Sequence, residues 1–336
     1  MKRVMLFGGT FDPVHDGHIT LAMETLKSNQ HDEVWFLLAS LNPFKDENTS
    51  FKHREAMLNL MLSSYDNMKV CTIENTLPKP SYSIDTIKAL KSIYPDYTFS
   101  WLIGSDQIPS LNKWKRYDQL KEMVTFYVYY RPGFDTPHNF KIIEGKAEDV
   151  SSTDIRTGKS LKTRDSVLSY MMQEGLYLDQ MVPNQMDEKR YNHTRSVTSL
   201  ALEIAKVYQF DLKRVRLMSM MHDYCKVWPK EKLESILKKY NPNALKRPSA
   251  FYHAYAAAYV LQYHYKVNDF EVIEAIKHHV DGQSQSELGM LLYIADKCER
   301  TRPYDSEPFI DLAKDNLKIA YQKVKEHNDN YIKEYL

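Results

Sequence analysis

The chain has 336 residues, room for two domains, with 43% hydrophobic and 26% charged residues and a net charge of +1. Such a balance describes an ordinary soluble globular protein and carries no basic field of the kind that marks nucleic-acid binders. Three widely spaced cysteines, Cys71, Cys225 and Cys298, exclude a disulfide framework and predict a reducing, cytoplasmic setting.

The apolar run after Lys2 and Arg3 stops at Gly8, short of a signal peptide. No stretch approaches the roughly 18–20 apolar residues of a membrane span, so no membrane partner is expected. In chain order, residues 4–7, 34–38, 68–72, 98–103 and 126–130 predict strands: short, β-branched or aromatic, and bounded by turn residues. Residues 19–28, 51–64, 83–93 and 114–121 predict the helices between them. Strand–helix alternation implies a doubly wound parallel α/β sheet. Beyond about residue 185 the strand signals stop. Segments 194–207, 212–221, 230–239, 250–263, 269–279, 285–299 and 308–335 carry helical periodicity, which predicts an all-α domain. The polar stretch 178–187, with Pro183, predicts the joint, giving domains of 1–180 and 186–336.

The first strand runs into Gly8-Gly9-Thr10-Phe11-Asp12-Pro13-Val14-His15-Asp16-Gly17-His18. A strand, a glycine turn and a helix start form a phosphate site, because the backbone comes close and free amides face the anion. The pattern departs from the Gly-x-Gly-x-x-Gly fingerprint and from the Gly-Lys-Ser/Thr P-loop. His15 and His18 can share a helical face, as a metal pair would, but no third ligand type lies nearby. Plain capping of the helix is the other reading.

The whole string resembles the signature of the nucleotidyltransferase superfamily, whose His-x-x-His pair binds ATP phosphates. Further strings resemble one branch, the bacterial nicotinate-nucleotide adenylyltransferases. They are Asn42-Pro43-Phe44-Lys45, His53-Arg54-Glu55, Pro80-Ser81-Tyr82-Ser83-Ile84-Asp85-Thr86, Leu102-Ile103-Gly104-Ser105-Asp106 with Trp114, Tyr130-Arg131-Pro132-Gly133, and Ser151-Ser152-Thr153-Asp154-Ile155-Arg156. The resemblance covers roughly residues 1–178 and implies a Rossmann-like nucleotidyltransferase domain taking ATP, brought with Mg2+, and nicotinate mononucleotide. It implies His15, His18, Lys45 and Arg156 as catalytic phosphate contacts. It further implies Gly8, Gly9, Thr10, Phe11, Ser81, Tyr82, Gly104, Asp106, Trp114, Arg131, Ser151, Ser152 and Thr153 as substrate-binding residues, with Tyr82 and Trp114 framing the pyridine ring. Asn42 and Phe44 depart from the family, which prefers proline and histidine there.

Seven of the twelve histidines lie beyond residue 185. His193 sits one turn before Val197 on an apolar helix face and points inward. His222-Asp223 ends another apolar helix, and Asp296 follows Leu292 by one turn, also inward, where a lone carboxylate is expensive. Such an N/O set suits iron, manganese or zinc. In this order the residues resemble the HD metal-dependent phosphohydrolases. His253 and His279 then suggest a second metal and a resemblance to bacterial HD-type symmetrical diadenosine tetraphosphatases over about residues 186–330. The resemblance implies metal ligands His193, His222, Asp223, His253, His279 and Asp296, a dinuclear Fe or Mn centre, Lys226 and Arg302 as phosphate contacts, and cleavage of diadenosine tetraphosphate to two ADP. His264 and His327 are read as surface or core histidines, and Cys225 and Cys298 as packing thiols. A nucleotide-sensing HD module that does not turn over, or another nucleotide substrate, is the competing reading. Self-association is left open.

Overall fold

The computed structural model describes residues 1–40, 49–130, 133–134, 140–144 and 149–335. By packing, the chain divides into two units: Met1–Ile155 with Lys162–Val167, and Arg156–Leu161 with Leu168–Leu336.

The first unit alternates β1 (Lys2–Gly9), α1 (Asp16–Lys27), β2 (Glu33–Leu38), α2 (Phe51–Leu62), β3 (Met68–Cys71), α3 (Ser83–Ile93), β4 (Tyr97–Gly104), α4 (Tyr117–Met123), β5 (Thr125–Tyr129), β6 (Lys141–Ile143) and α5 (Ser152–Arg156). The strands form one sheet in the order β3-β2-β1-β4-β5-β6, every pair parallel. This is the doubly wound α/β architecture that the alternation implies. β6 escaped the sequence reading because it is three residues long, with two of them exposed.

Parallel strands need cover on both faces, and Val4, Met5, Leu6 and Phe7 of β1 are all buried. Val4 and Leu6 join Trp35, Leu37, Phe99 and Trp101 in a core covered by Ile84, Ile87 and Leu90 of α3. Phe7 turns to the opposite face, where its ring meets Phe11 and Phe36. The chain winds outward from β1 to β3 and then returns to place β4 beside β1. The carboxyl ends of β1 and β4 therefore flank the topological switch point, where open α/β sheets bind ligands.

In the second unit follow α6 (Asp165–Gln173, begun in the first), α7 (Leu178–Met181), α8 (Glu188–Val207), α9 (Leu212–Met221), α10 (Lys230–Tyr240), α11 (Tyr252–Tyr259), α12 (Phe270–Lys277), α13 (Glu287–Cys298), α14 (Glu307–Asp315) and α15 (Leu317–Tyr335). No strand occurs here among the described residues. Side-chain caps set several starts: Asp187 accepts from Arg190 N at 2.8 Å, Asp211 from Lys213 N at 2.8 Å, and Ser286 from Gly289 N at 3.1 Å. α8 thus begins six residues ahead of the expected 194.

Two expectations need correction. The stretch expected as a polar joint, 178–187, is largely helical turns, with Leu178, Met181 and Val182 fully buried. Their apolar side chains outweigh the polar residues between them. The single helix expected over 308–335 is two, because Asn316 leaves the helical region and its Oδ1 accepts from Ile319 N at 3.1 Å, capping α15. Among the described residues, no helix is long and apolar enough to cross a membrane.

Candidate active sites

In the first unit β1 ends at Gly9, and a Cβ there would come within 2.9 Å of the Phe11 ring. Phe11 has φ 47° and is itself buried, packing edge-on against His18 at 5.0 Å between ring centroids. Its side chain therefore props the turn from beneath. His15 is the N-cap of α1. Its main-chain N–H donates to His18 Nδ1 at 3.2 Å, and the two rings lie 3.7 Å apart at a 36° tilt. Both imidazoles are thus gathered at the amino end of α1, where the helix dipole favours an anion.

Arg54, on α2, organises this turn from behind. Its guanidinium donates to Thr10 O at 2.9 Å, Ala39 O at 2.8 Å and Thr49 O at 2.8 Å, tying the ends of β1 and β2 together. On the other side, Ser152 Oγ donates to Pro13 O at 2.8 Å and Thr163 Oγ1 to Val14 O at 2.9 Å. Ser151 Oγ donates to Asp154 Oδ2 at 2.6 Å, so both serine hydroxyls serve the fold. Thr153 lies within α5. Gly8 lies against Trp101, Gly104 ends β4, and Asp106 follows in the 3-10 turn Ser105–Lys113.

The residues expected at the acceptor ring sit differently from one another. Tyr82 is 39% exposed, with Lys115 Nζ 4.1 Å from its ring centroid. Trp114 is packed edge-on against Trp101 and Phe126 at the margin of the core. Ser81 Oγ donates to Glu74 Oε2 at 3.4 Å, and Glu74 also accepts from Ser40 N at 3.4 Å and Thr86 Oγ1 at 3.3 Å. Burial pushes the Glu74 carboxyl up. Lys45 and Arg131 lie outside the described residues. Arg156 Nε donates to Gln180 Oε1 at 3.0 Å within the second unit.

In the second unit all six expected ligands converge. α8 packs on α9 and α13, and α12 packs on α9, α11 and α13. These contacts bring His193 Nε2 to 3.1 Å from Asp296 Oδ1, and His222 Nε2 to 3.9 Å from Asp223 Oδ2 and 4.0 Å from Asp296 Oδ1. His253 Nε2 and His279 Nε2 lie 3.1 and 3.4 Å from Asp223 Oδ1, off the line of a hydrogen bond. His193, His222 and Asp296 form one group able to hold a metal, and His222, Asp223 and His279 a second. His278, the neighbour of His279, turns instead to Asp281 at 3.0 Å.

The donor set fits a divalent ion. His222 Nε2 is fully buried and makes no hydrogen bond, while its Nδ1 is bonded to Ser219 O at 2.6 Å. Burial pulls His222 down to about 4, and burial likewise pulls His253 to about 4 against its Asp223 contact. Both are then neutral at pH 7 and keep a lone pair for a metal. Burial pushes Asp223 up, but His222, His253 and His279 together hold it well below the usual carboxylate range. Among the described residues, four cations flank the cluster. Lys226 Nζ is 3.0 Å from His253 Nε2, Lys297 Nζ 2.8 Å from Asp296 Oδ2, Arg302 Nη2 3.1 Å from Asp296 Oδ1, and Arg190 Nη1 3.5 Å from Asp223 Oδ2. Cys225 and Cys298 are buried free thiols.

The first unit matches the cytidylyltransferase-like family over residues 6–158, and the second the HD domain over residues 190–301. The protein named probable nicotinate-nucleotide adenylyltransferase/Ap4A hydrolase of Mycoplasma genitalium is 32% identical, the match covering 99% of each chain. The chain belongs to the fused nicotinate-nucleotide adenylyltransferase/Ap4A hydrolase family. Its Mycoplasma pneumoniae relative of the same name is 30% identical over 95% of this chain and 96% of its own. The nicotinate-nucleotide adenylyltransferase of Bacillus subtilis is 37% identical, covering 53% of this chain and 99% of its own. HD domains bind divalent metals, in keeping with the two ligand groups here.

For this fused enzyme family, sequence reading did not single out Arg190 and Lys297 beside the ligand cluster, Arg54 behind the glycine turn, or Glu74 against Ser81. Spacing shows only which face a residue takes. Arg190, three residues before His193, had a usable signal, since residues three apart share a helix face.

Proposed function

We propose that the chain is a bifunctional enzyme. Its first unit transfers AMP from ATP to nicotinate mononucleotide, releasing pyrophosphate and forming deamido-NAD. Its second unit hydrolyses diadenosine tetraphosphate to two ADP. The observation that carries this is the end-to-end likeness to relatives named for both activities, in a chain whose two units each present their own histidine constellation.

In the transfer, a phosphate oxygen of the mononucleotide attacks the α-phosphorus of ATP, and the bond to the bridging oxygen breaks as pyrophosphate leaves. No protein nucleophile is needed; positioning and charge neutralisation suffice. His15 and His18, with the amides opening α1, aim donors at the phosphates where charge develops. Mg2+ enters with the nucleotide. In the hydrolase unit His193, His222, Asp223, His253, His279 and Asp296 would hold Fe or Mn as a pair. A metal pair there supplies water activation near neutral pH and neutralises phosphate charge. Lys226, Arg302, Lys297 and Arg190 orient the polyphosphate by charge. The free buried cysteines support a cytoplasmic setting.

The test is a pair of assays on the purified chain. ATP, Mg2+ and nicotinate mononucleotide should give deamido-NAD in preference to the amide mononucleotide's product. With Mn2+ or Fe2+, diadenosine tetraphosphate should give ADP alone. Formation of ATP plus AMP would overturn symmetrical cleavage.

A further inference from the structure

We propose that Glu299 is a positioning residue for the metal centre, locking the His193 imidazole so that Nε2 faces the metal position. The inference rests on the metal-site reading above.

Each ligand imidazole must present one nitrogen lone pair, and its other nitrogen decides the tautomer and ring orientation. His222 and His279 solve this locally. Each lies just past its helix, α9 or α12, and its Nδ1 donates to a last-turn carbonyl, Ser219 O at 2.6 Å or Ile276 O at 2.6 Å. Those carbonyls can take a ring N–H because the last four of a helix have no partner four residues on within the helix. His193 lies in the second turn of α8, where the neighbouring carbonyls are taken by the helix. Its Nδ1 needs a partner from elsewhere in the fold.

Glu299 is that partner. It is the first residue past α13, with φ −59° and ψ 144°, and its carboxyl turns back into the unit at 1% exposure. Oε1 lies 3.2 Å from His193 Nδ1. The rest of the carboxyl is surrounded by donors: Thr301 N at 2.8 Å to Oε2, and Thr301 Oγ1 at 2.8 Å from each oxygen. Arg302 Nε stands 3.6 Å from Oε1. A group held in this way is an acceptor, so the proton sits on His193 Nδ1 and the Nε2 lone pair turns toward Asp296 Oδ1, 3.1 Å away. Two lone pairs facing one another at that distance are what a shared cation would bridge.

The experiment measures Mn2+ binding to the intact chain by titration, with the melting temperature of metal-stripped protein as the fold control. A glutamine at 299 has one oxygen and one NH2. It can satisfy His193 Nδ1–H or Thr301 N–H, but not both. E299Q should therefore bind Mn2+ about 10–100-fold more weakly, with the metal-free melting temperature within a few degrees of the parent. T301V removes the hydroxyl that orients the carboxyl and should weaken binding in the same direction by a smaller factor. Should E299Q fail to fold, T301V carries the test. Binding by the folded variant within twofold of the parent overturns the inference. If the parent itself binds no divalent ion, or H222A binds as the parent does, the metal-site reading fails instead, and with it the role of Glu299.

Discussion

Both units gather histidines into a cluster, yet their surroundings give those histidines opposite work. In the first, His15 and His18 stack on each other at the amino end of α1, over a floor of Phe7 and Phe11. A helix amino end favours anions, so the pair is suited to phosphate. In the second, His193, His222, His253 and His279 are drawn against Asp223 and Asp296. Buried imidazoles set beside ionised carboxylates favour a cation. What decides between phosphate handling and metal ligation is the nearest fixed charge, and the histidine itself is neutral in that choice.

This contrast can be broken by crossing variants between units. The largest effect is expected from His222→Ala, because His222 belongs to both ligand groups. Hydrolysis of diadenosine tetraphosphate should fall by about a thousandfold, as should hydrolysis after chelation, since metal catalysis accounts for several kcal/mol of barrier. Deamido-NAD formation assayed on the same sample should stay within about twofold. A parallel loss of both activities would end the division of labour.

His18→Ala is the reciprocal case. Losing one preorganised donor should lower deamido-NAD formation by about a hundredfold or more, while hydrolysis and Mn2+ binding hold. Sensitivity of its metal affinity would mean that the pair in the first unit is no mere phosphate site.

The smallest effect concerns charge that supports the fold alone. Glu33 opens β2 and accepts from Lys2 at 2.7 Å, Lys69 at 2.8 Å and Trp35 Nε1 at 2.7 Å. Burial pushes its carboxyl up, but the bonds from Lys2, Lys69 and Trp35 hold it at about 2 against an ordinary 4.5. A depressed carboxyl contributes stability that is complete above its unfolded value and lost as pH falls through its folded one. Relative to the parent, Glu33→Gln should lower the stability of the first unit by about 1–2 kcal/mol at pH 7, after screening at the lysine ends. Urea unfolding followed by tryptophan fluorescence should show this gap steady down to about pH 4.5 and narrowing toward pH 2. A gap that persists unchanged at pH 3 would assign the loss to packing.

Much of both units was legible because it is local. β1 announces itself by an apolar run ended by two glycines, and α13 by buried residues from Leu288 to Ala295 ahead of an inward carboxylate. Boundaries went astray where a cap or buried apolar residues overruled composition, as at Asp187, Asn316 and Leu178. The inward positions of His193 and Asp296 followed from helical periodicity, and the choice of His279 over His278 followed from resemblance. None of these showed which side chains would meet. Arg54 read only as part of a matching string, although its guanidinium closes the glycine turn from 44 residues away. Glu299 carries no sign along the chain that it reaches back 106 residues to His193.

By itself the sequence determined the two architectures, the glycine turn with its histidine pair, and six residues of types that can hold metal. Periodicity and turn chemistry are properties of neighbours along the chain, so they survive in one dimension. Only the tertiary structure decided that α8, α9, α12 and α13 close around one cluster, that His222 joins two ligand groups, and that Glu299 faces His193. Those are contacts between helix faces, set by packing, and packing has no signature in spacing.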